Sequence, residues 1–298
     1  MKKILDWLRV IRLWSLTAST IPVLAGAALA AVDGKFSWVM LALTLVCGWA
    51  VHVATNLLNT YGDYMSGVDR DATTVTAPQL LTGVFKPAEI FRAGVGTLVF
   101  SAVLGVAIAA LSDWRLLGFA VAGVAGAGFY TTGLRYKYWG MGVPFVFFLM
   151  GVLMVGASYF AQARALTWPA IIVSLPISCL VAAILLGNDL RDVATDRDAA
   201  IQTTALFLGS RGARALFYAL HLLPYVAVVS AVVTGTLSRG CLLVLLAAPL
   251  TFGVVKTTRD GFKMSDGTKI AKLEGMTAGT HFVFGLLLVA GLTVAVFF

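Results

Sequence analysis

Two short stretches place amide and carboxylate oxygens in otherwise apolar sequence. The first runs Asn56-Leu57-Leu58-Asn59-Thr60-Tyr61-Gly62-Asp63, with Asp69 and Asp71 following. The second runs Asn188-Asp189-Leu190-Arg191-Asp192-Val193-Ala194-Thr195-Asp196-Arg197-Asp198. On a helix Asn56, Asn59 and Asp63 lie at i, i+3 and i+7, and Asn188, Asp192 and Asp196 at i, i+4 and i+8, so each set shares one face. Two such stripes facing each other repel unless a cation lies between them. Mg²⁺ takes oxygen ligands, binds one or two carboxylates and fills the rest of its shell with water and substrate phosphate. A diphosphate bridged by Mg²⁺ suits that gap better than a closed all-protein cage. Asp and Asn also cap helices and solvate loops, and either motif alone fits that reading equally well. Two matching stripes beside long apolar runs favour function, because ionisable groups at membrane depth are costly.

A third stretch, Tyr130-Thr131-Thr132-Gly133-Leu134-Arg135-Tyr136-Lys137, offers Arg135 and Lys137 to neutralise a leaving diphosphate. Anchoring at a membrane surface accounts for the same two cations equally well. Arg191 and Arg197 fit either the diphosphate or their own neighbours Asp192 and Asp196.

The elements that carry these residues follow from composition. Of 298 residues 59% are hydrophobic and 12% charged, against about 25% charged in a soluble domain; the mean hydropathy is +0.91. Lipid must supply much of the solvent. Uncharged runs lie at 13–32, 36–62, 93–112, 116–134, 138–163, 165–188, 215–238, 240–255 and 275–298. Eight approach the roughly 20 residues needed to cross the hydrocarbon; 240–255 is short, with Arg239 and Lys256 placed to snorkel at its ends. No alternating strand pattern of a barrel is present. The expectation is therefore an all-α membrane protein, a bundle of about nine transmembrane helices forming one domain over 1–298. With the N-terminus on the cytoplasmic side, the inner segments carry 18 of the 22 Lys+Arg and 12 of the 14 Asp+Glu, a bias that orients the chain N-in. The basic excess is topology, with no case for nucleic acid. The first run is too long for a signal-peptide core and reads as retained. Cys47, Cys179 and Cys241 stand singly in apolar runs without metal spacing. His52, His221 and His281 read as interior histidines outside the site. Acidic groups after the second and sixth spans hint weakly at a repeated four-helix unit.

On these residues the chain resembles the UbiA superfamily of intramembrane aromatic prenyltransferases. Stretches 56–69 and 188–199 match its paired acidic motifs; 128–142 and 273–292 look like its menaquinone branch, including the animal enzymes. Thr60 stands where most members carry the first Asp of the motif, as it does in the animal enzymes, and Val143 stands where an acidic residue is usual. The resemblance implies a nine-helix bundle in a bacterial inner membrane with its site on the cytoplasmic side. It implies Mg²⁺-dependent transfer of a polyprenyl group from polyprenyl diphosphate to an aromatic acceptor, 1,4-dihydroxy-2-naphthoate with decarboxylation, or 4-hydroxybenzoate or homogentisate. The metal ligands would be Asn59, Asp63, Asp192 and Asp196. Asp63, Asp192, Asp196 and Lys137 would be catalytic, and Asn56, Asn188, Arg135, Arg191 and Tyr130 would hold the diphosphate. Tyr61, Tyr64 and Tyr130 would shield an allyl cation, or else form an interfacial belt. The rival reading is an ion-coupled transporter, which calls for charges or helix breaks near the bilayer midplane; Pro22, Pro144, Pro176 and Pro224 interrupt spans, whereas the acids cluster at span ends.

Overall fold

A computed structural model describes residues 2–70 and 77–297; Asp71 lies outside them. Among the described residues the chain is helical without a strand. The helices are α1 (Lys2–Val10), α2 (Thr17–Val32), α3 (Trp38–Met65), α4 (Pro87–Leu111), α5 (Leu116–Gly128), α6 (Gly142–Ala163), α7 (Trp168–Arg191), α8 (Val193–Asp198), α9 (Thr204–Val233), α10 (Arg239–Met264), α11 (Gly267–Ile270) and α12 (Leu273–Phe297). Eight helical segments among the described residues are long and apolar enough to cross a membrane.

The short crossing is not the expected one. The 240–255 run becomes part of the 26-residue α10, which continues past Lys256 and Arg259, since helical hydrogen bonding does not stop where a helix leaves lipid. The fourth run instead yields α5, 13 residues. At 1.5 Å per residue that is about 20 Å, short of a hydrocarbon core near 30 Å. Helix α9 begins at Thr204, so the polar segment expected over 189–214 is helical in its second half, with a non-helical kink at Gly209.

The bundle is organised around α7, whose apolar stretch is the most buried of the eight. It has no polar stripe to expose before Asn188 and packs on α2, α6, α9 and α12. Tyr159, Ile177, Leu180 and Phe284 share its main core cluster. Helix α4, by contrast, pairs with α3 and turns Val95, Val99, Phe100 and Val103 outward, the face a lipid tail would meet. Helices α2, α7 and α9 run on through Pro22, Pro176 and Pro224, and Pro144 sits in the opening turn of α6, where its missing N–H costs nothing. The prolines therefore break no helix near its middle.

Candidate active site

The first motif folds as its spacing predicts. Asn56, Asn59 and Asp63 are all buried on one face of α3, Asp63 to 5% exposure. The loop between α5 and α6 lies across them. Lys137 Nζ donates to Asn59 Oδ1 at 3.0 Å and to both Asp63 oxygens at 3.0 and 2.8 Å, and Tyr138 OH donates to Asp63 Oδ1 at 2.6 Å. Two local features bring the loop this close. A Cβ on Gly62 would stand 2.8 Å from Thr131 Cβ, O and Oγ1, so only glycine admits the contact, and Thr131 Oγ1 then donates to Leu58 O at 3.1 Å. Arg135 adopts a left-handed conformation, φ 53°, which turns the chain so that Lys137 points inward and Arg135 outward. Burial alone would favour a neutral Lys137 amine; Asp63 and Asp196 override it, the net direction is upward, and Lys137 stays an ammonium.

The second motif folds differently. Helix α7 ends at Arg191, and Asp192 takes φ −94°, ψ 9° before α8 begins. Asn188, Asp192 and Asp196 thus straddle a helix junction instead of lining one continuous face. At this junction Arg191 Nε and Nη2 grip Asp192 Oδ1 and Oδ2 at 2.7 Å, and Nη2 also reaches Asn188 Oδ1. Asp189 is buried and accepts the backbone N–H of Thr204 at 3.2 Å, which anchors the start of α9.

The two motif ends meet. Gly140 N donates to Gln202 O at 2.7 Å, Gln202 N to Tyr138 O at 3.3 Å, and Thr204 Oγ1 to Gly140 O at 2.9 Å. The loop that grips Asp63 is thereby stitched to the segment that carries Asp196. Electrostatics report the same convergence. Burial pushes the Asp196 carboxyl up to about 7, against the pull of Lys137 and with the push of Asp192 and Asp63. Burial and then Asp63 push Asp69 up to about 6, against Lys137 and Arg12, with Asp192 adding to the rise.

From this polar end a cavity of about 270 Å³ runs between the helices. Asn56, Asn59, Tyr130, Lys137, Asn188 and Glu274 lie at its mouth; Val51, Leu149 and Met154 line its middle; Thr44, Ile108, Phe119 and Ala161 line its far end. Three lining or gripping residues were not among those singled out from the sequence: Arg12, and Tyr138 and Glu274, which lie within the family-like stretches 128–142 and 273–292. Arg12, left-handed at φ 53°, lines the cavity with its Nε buried and without a hydrogen-bond partner among the described residues. With Lys2, Lys3 and Arg9 it precedes the first apolar run, where cations read as topology.

Other expected residues are placed elsewhere. Arg135 is exposed in a shallow groove with Tyr61, Met65 and Phe91. Tyr61 and Tyr64 pack with Val10, Leu57 and Phe85 instead of facing the cavity; each residue step turns a helix by about 100°, so neither shares the Asp63 face. Asn56 spends its amide on Ile11 O at 2.9 Å and Ser15 Oγ at 3.2 Å. Val143 is buried with Ala182, Leu186 and Ala205, where a carboxylate would have no solvation. His52 bonds Ser15 and Ser19, and His221 bonds Phe217 O and Thr277; both ring nitrogens of buried His281 lack a partner among the described residues. The three cysteines are free.

The donors suit a hard divalent cation that keeps water and phosphate in its shell. They are all oxygen, carboxylates outnumber the cations among them, and a cation already sits between Asn59 and Asp63, the Lys137 ammonium. Among the described residues no group of three or more His, Cys, Asp or Glu side chains forms a cage by itself.

Residues 19–277 match the UbiA prenyltransferase family. The chain is 33% identical over 287 residues to the 1,4-dihydroxy-2-naphthoate octaprenyltransferase of Bacillus subtilis, covering 95% of this chain and 90% of that protein. It is 30% identical over 291 residues to human UbiA prenyltransferase domain-containing protein 1, covering 96% and 85%. A UbiA homolog from Archaeoglobus fulgidus shares the fold with a TM-score of 0.68 at 18% identity, over 98% of this chain and 100% of that one. The same homolog bound to GPP and Mg²⁺ aligns with a TM-score of 0.62 at 17% identity, over 95% and 99%.

Proposed function

The chain belongs to the UbiA prenyltransferase family and is an integral membrane prenyltransferase, and from that premise we propose that it transfers a polyprenyl group from polyprenyl diphosphate to 1,4-dihydroxy-2-naphthoate, with Mg²⁺ as cofactor and CO₂ as co-product. The observation that carries this reading is the junction of a carboxylate-rich mouth, clamped by Lys137, with a long apolar cavity. The polyprenyl chain fits the apolar end and the diphosphate the polar end. The relatives support both substrates: the Bacillus protein is named for the naphthoate, and the Archaeoglobus homolog was solved with GPP and Mg²⁺.

Asn59, Asp63, Asp192 and Asp196 would hold the metal; bound there, Mg²⁺ supplies positive charge that favours departure of the diphosphate. The protein groups do the rest. Lys137, with Asn188 and Arg191, holds the diphosphate oxygens, and Arg12 brings a second, half-buried cation to the same mouth. The C–O bond breaks with its electron pair leaving on diphosphate. Tyr130, whose ring centroid lies 5.8 Å from Lys137 Nζ, lines the mouth where the allyl cation forms, and an aromatic face there is worth about 0.5–2 kcal/mol. The apolar walls keep water from that cation. The electron-rich ring carbon attacks it, a C–C bond forms, and loss of the carboxylate as CO₂ returns an electron pair to the ring. In this reading the site faces the cytoplasm of a bacterial inner membrane, the distribution of Lys and Arg supporting the N-in orientation, and residues 1–298 act as one domain.

Membranes carrying the protein, given Mg²⁺, a labelled polyprenyl diphosphate and dihydroxynaphthoate labelled in its carboxyl group, should yield prenylated product and labelled CO₂ in equal amounts. Product from 4-hydroxybenzoate or homogentisate, with none from the naphthoate, would reassign the acceptor.

A further inference from the structure

The cation at the end of α7 is shared by a helix far away in sequence. Arg191 grips Asp192 and Asn188, and its remaining arm, Nη1, donates to Glu274 Oε2, 83 positions along the chain. Glu274 lies in the first turn of α12, its side chain 13% exposed, and lines the cavity with Asn188. Its seat is set by backbone packing. Gly187, one turn before Arg191, faces the start of α12, where a Cβ would stand 3.2 Å from Glu274 N and 3.3 Å from Leu273 C. The guanidinium fork pairs bidentately with carboxylates, and as arranged here it covers both Asp192 oxygens, the atoms a divalent cation would need.

We propose that Glu274 is a positioning residue acting through Arg191: it retains the guanidinium when Asp192 turns to a divalent cation, which frees Asp192 for the metal and leaves Arg191 facing the diphosphate. This inference rests on the site reading given above. With Glu274 present, the guanidinium charge is divided between two carboxylates. Without it, the whole of that charge falls on Asp192 and the metal must displace a stronger competitor. The cost therefore appears in metal affinity before any chemistry takes place.

Binding of Mn²⁺ as the probe, followed by electron paramagnetic resonance on the purified full-length protein without substrate, tests this. Glu274→Gln should raise the Mn²⁺ dissociation constant roughly fivefold, the size of one partly exposed ion-pair coupling. Gly187→Ala, which pushes Glu274 away without altering any charge, should shift it in the same direction by less, and guards against a folding defect peculiar to the first variant. On an Arg191→Gln background the Glu274→Gln change should leave the constant within about twofold, because the residue through which Glu274 acts is gone. Wild-type-like binding by Glu274→Gln would overturn the proposal, as would an equal shift on both backgrounds, which would make Glu274 a direct charge on the metal. Failure of the wild type itself to bind Mn²⁺ would instead overturn the metal site, and this inference with it.

Discussion

The two motif ends satisfy the same need in opposite ways. At the end of α3, Asp63 is held by Lys137 and Tyr138, residues 74 and 75 positions away on another loop. At the end of α7, Asp192 is held by its own neighbour Arg191. The first motif is assembled by tertiary structure, so its state reports whether the α5–α6 loop is docked; the second is built locally and is then braced from α12. Breaking the first should therefore cost fold and activity together, whereas the second should respond chiefly in ligand binding.

Asp63→Ala should give the largest effect, a fall in turnover on the order of 10³-fold in a prenyl-transfer assay, since it removes a metal ligand and the partner of Lys137 together. Lys137→Ala should lower turnover on the order of 10²-fold. It should also destabilise the detergent-solubilised protein by about 3 kcal/mol in thermal or denaturant unfolding, because it strands a buried carboxylate. Gly62→Ala leaves every charged group intact but drives Thr131 and its backbone oxygen away from α3; a roughly tenfold loss should follow, as the loop that positions Lys137 lifts. Thr131→Ala, combined with Gly62→Ala, relieves only the side-chain part of that clash and should recover only part of the loss.

A pH profile sharpens the comparison further. Asp196 and Asp69 carry carboxyls pushed up to about 7 and about 6 by burial. Their proton-bound forms are favoured below those values, and a metal held by Asp196 needs that carboxyl ionised. Activity at limiting Mg²⁺ should therefore fall as pH drops from about 7 to about 6, and raising Mg²⁺ should move that fall to lower pH by competing with the proton. The smallest expected effect is that of Arg135→Ala. Its side chain points away from the cavity, so turnover should change by less than about twofold, where the equivalent change two residues on is severe.

Arg135 and Lys137 mark the boundary of what the sequence makes legible. Both cations follow the same apolar run, and only the left-handed turn at Arg135 decides which one faces Asp63. The Asn56, Asn59 and Asp63 face was readable because helical periodicity alone sets it. The corresponding face of the second motif was readable only as far as Asp192, where the backbone leaves helical geometry before α8 begins, a break that no spacing rule foresees. Arg12 and Glu274 reach the cavity from the first and last parts of the chain, where a charge beside an apolar run looks like any membrane-flanking residue. Hydropathy located nine apolar runs, of which eight lie in helices long enough to cross among the described residues, but helix length was not legible: α10 extends through charged residues and α5 stops early, because packing and loop geometry, not polarity, fix helix ends.

The central claim is that both motif ends share one metal-bound diphosphate, and calorimetric titration of a polyprenyl diphosphate into the purified protein tests it most directly. Binding should require Mg²⁺, and both Asp63→Asn and Asp192→Asn should weaken it by on the order of 100-fold or more. Equally tight binding in the presence of a chelator, or loss in one variant with none in the other, would contradict a site shared by the two.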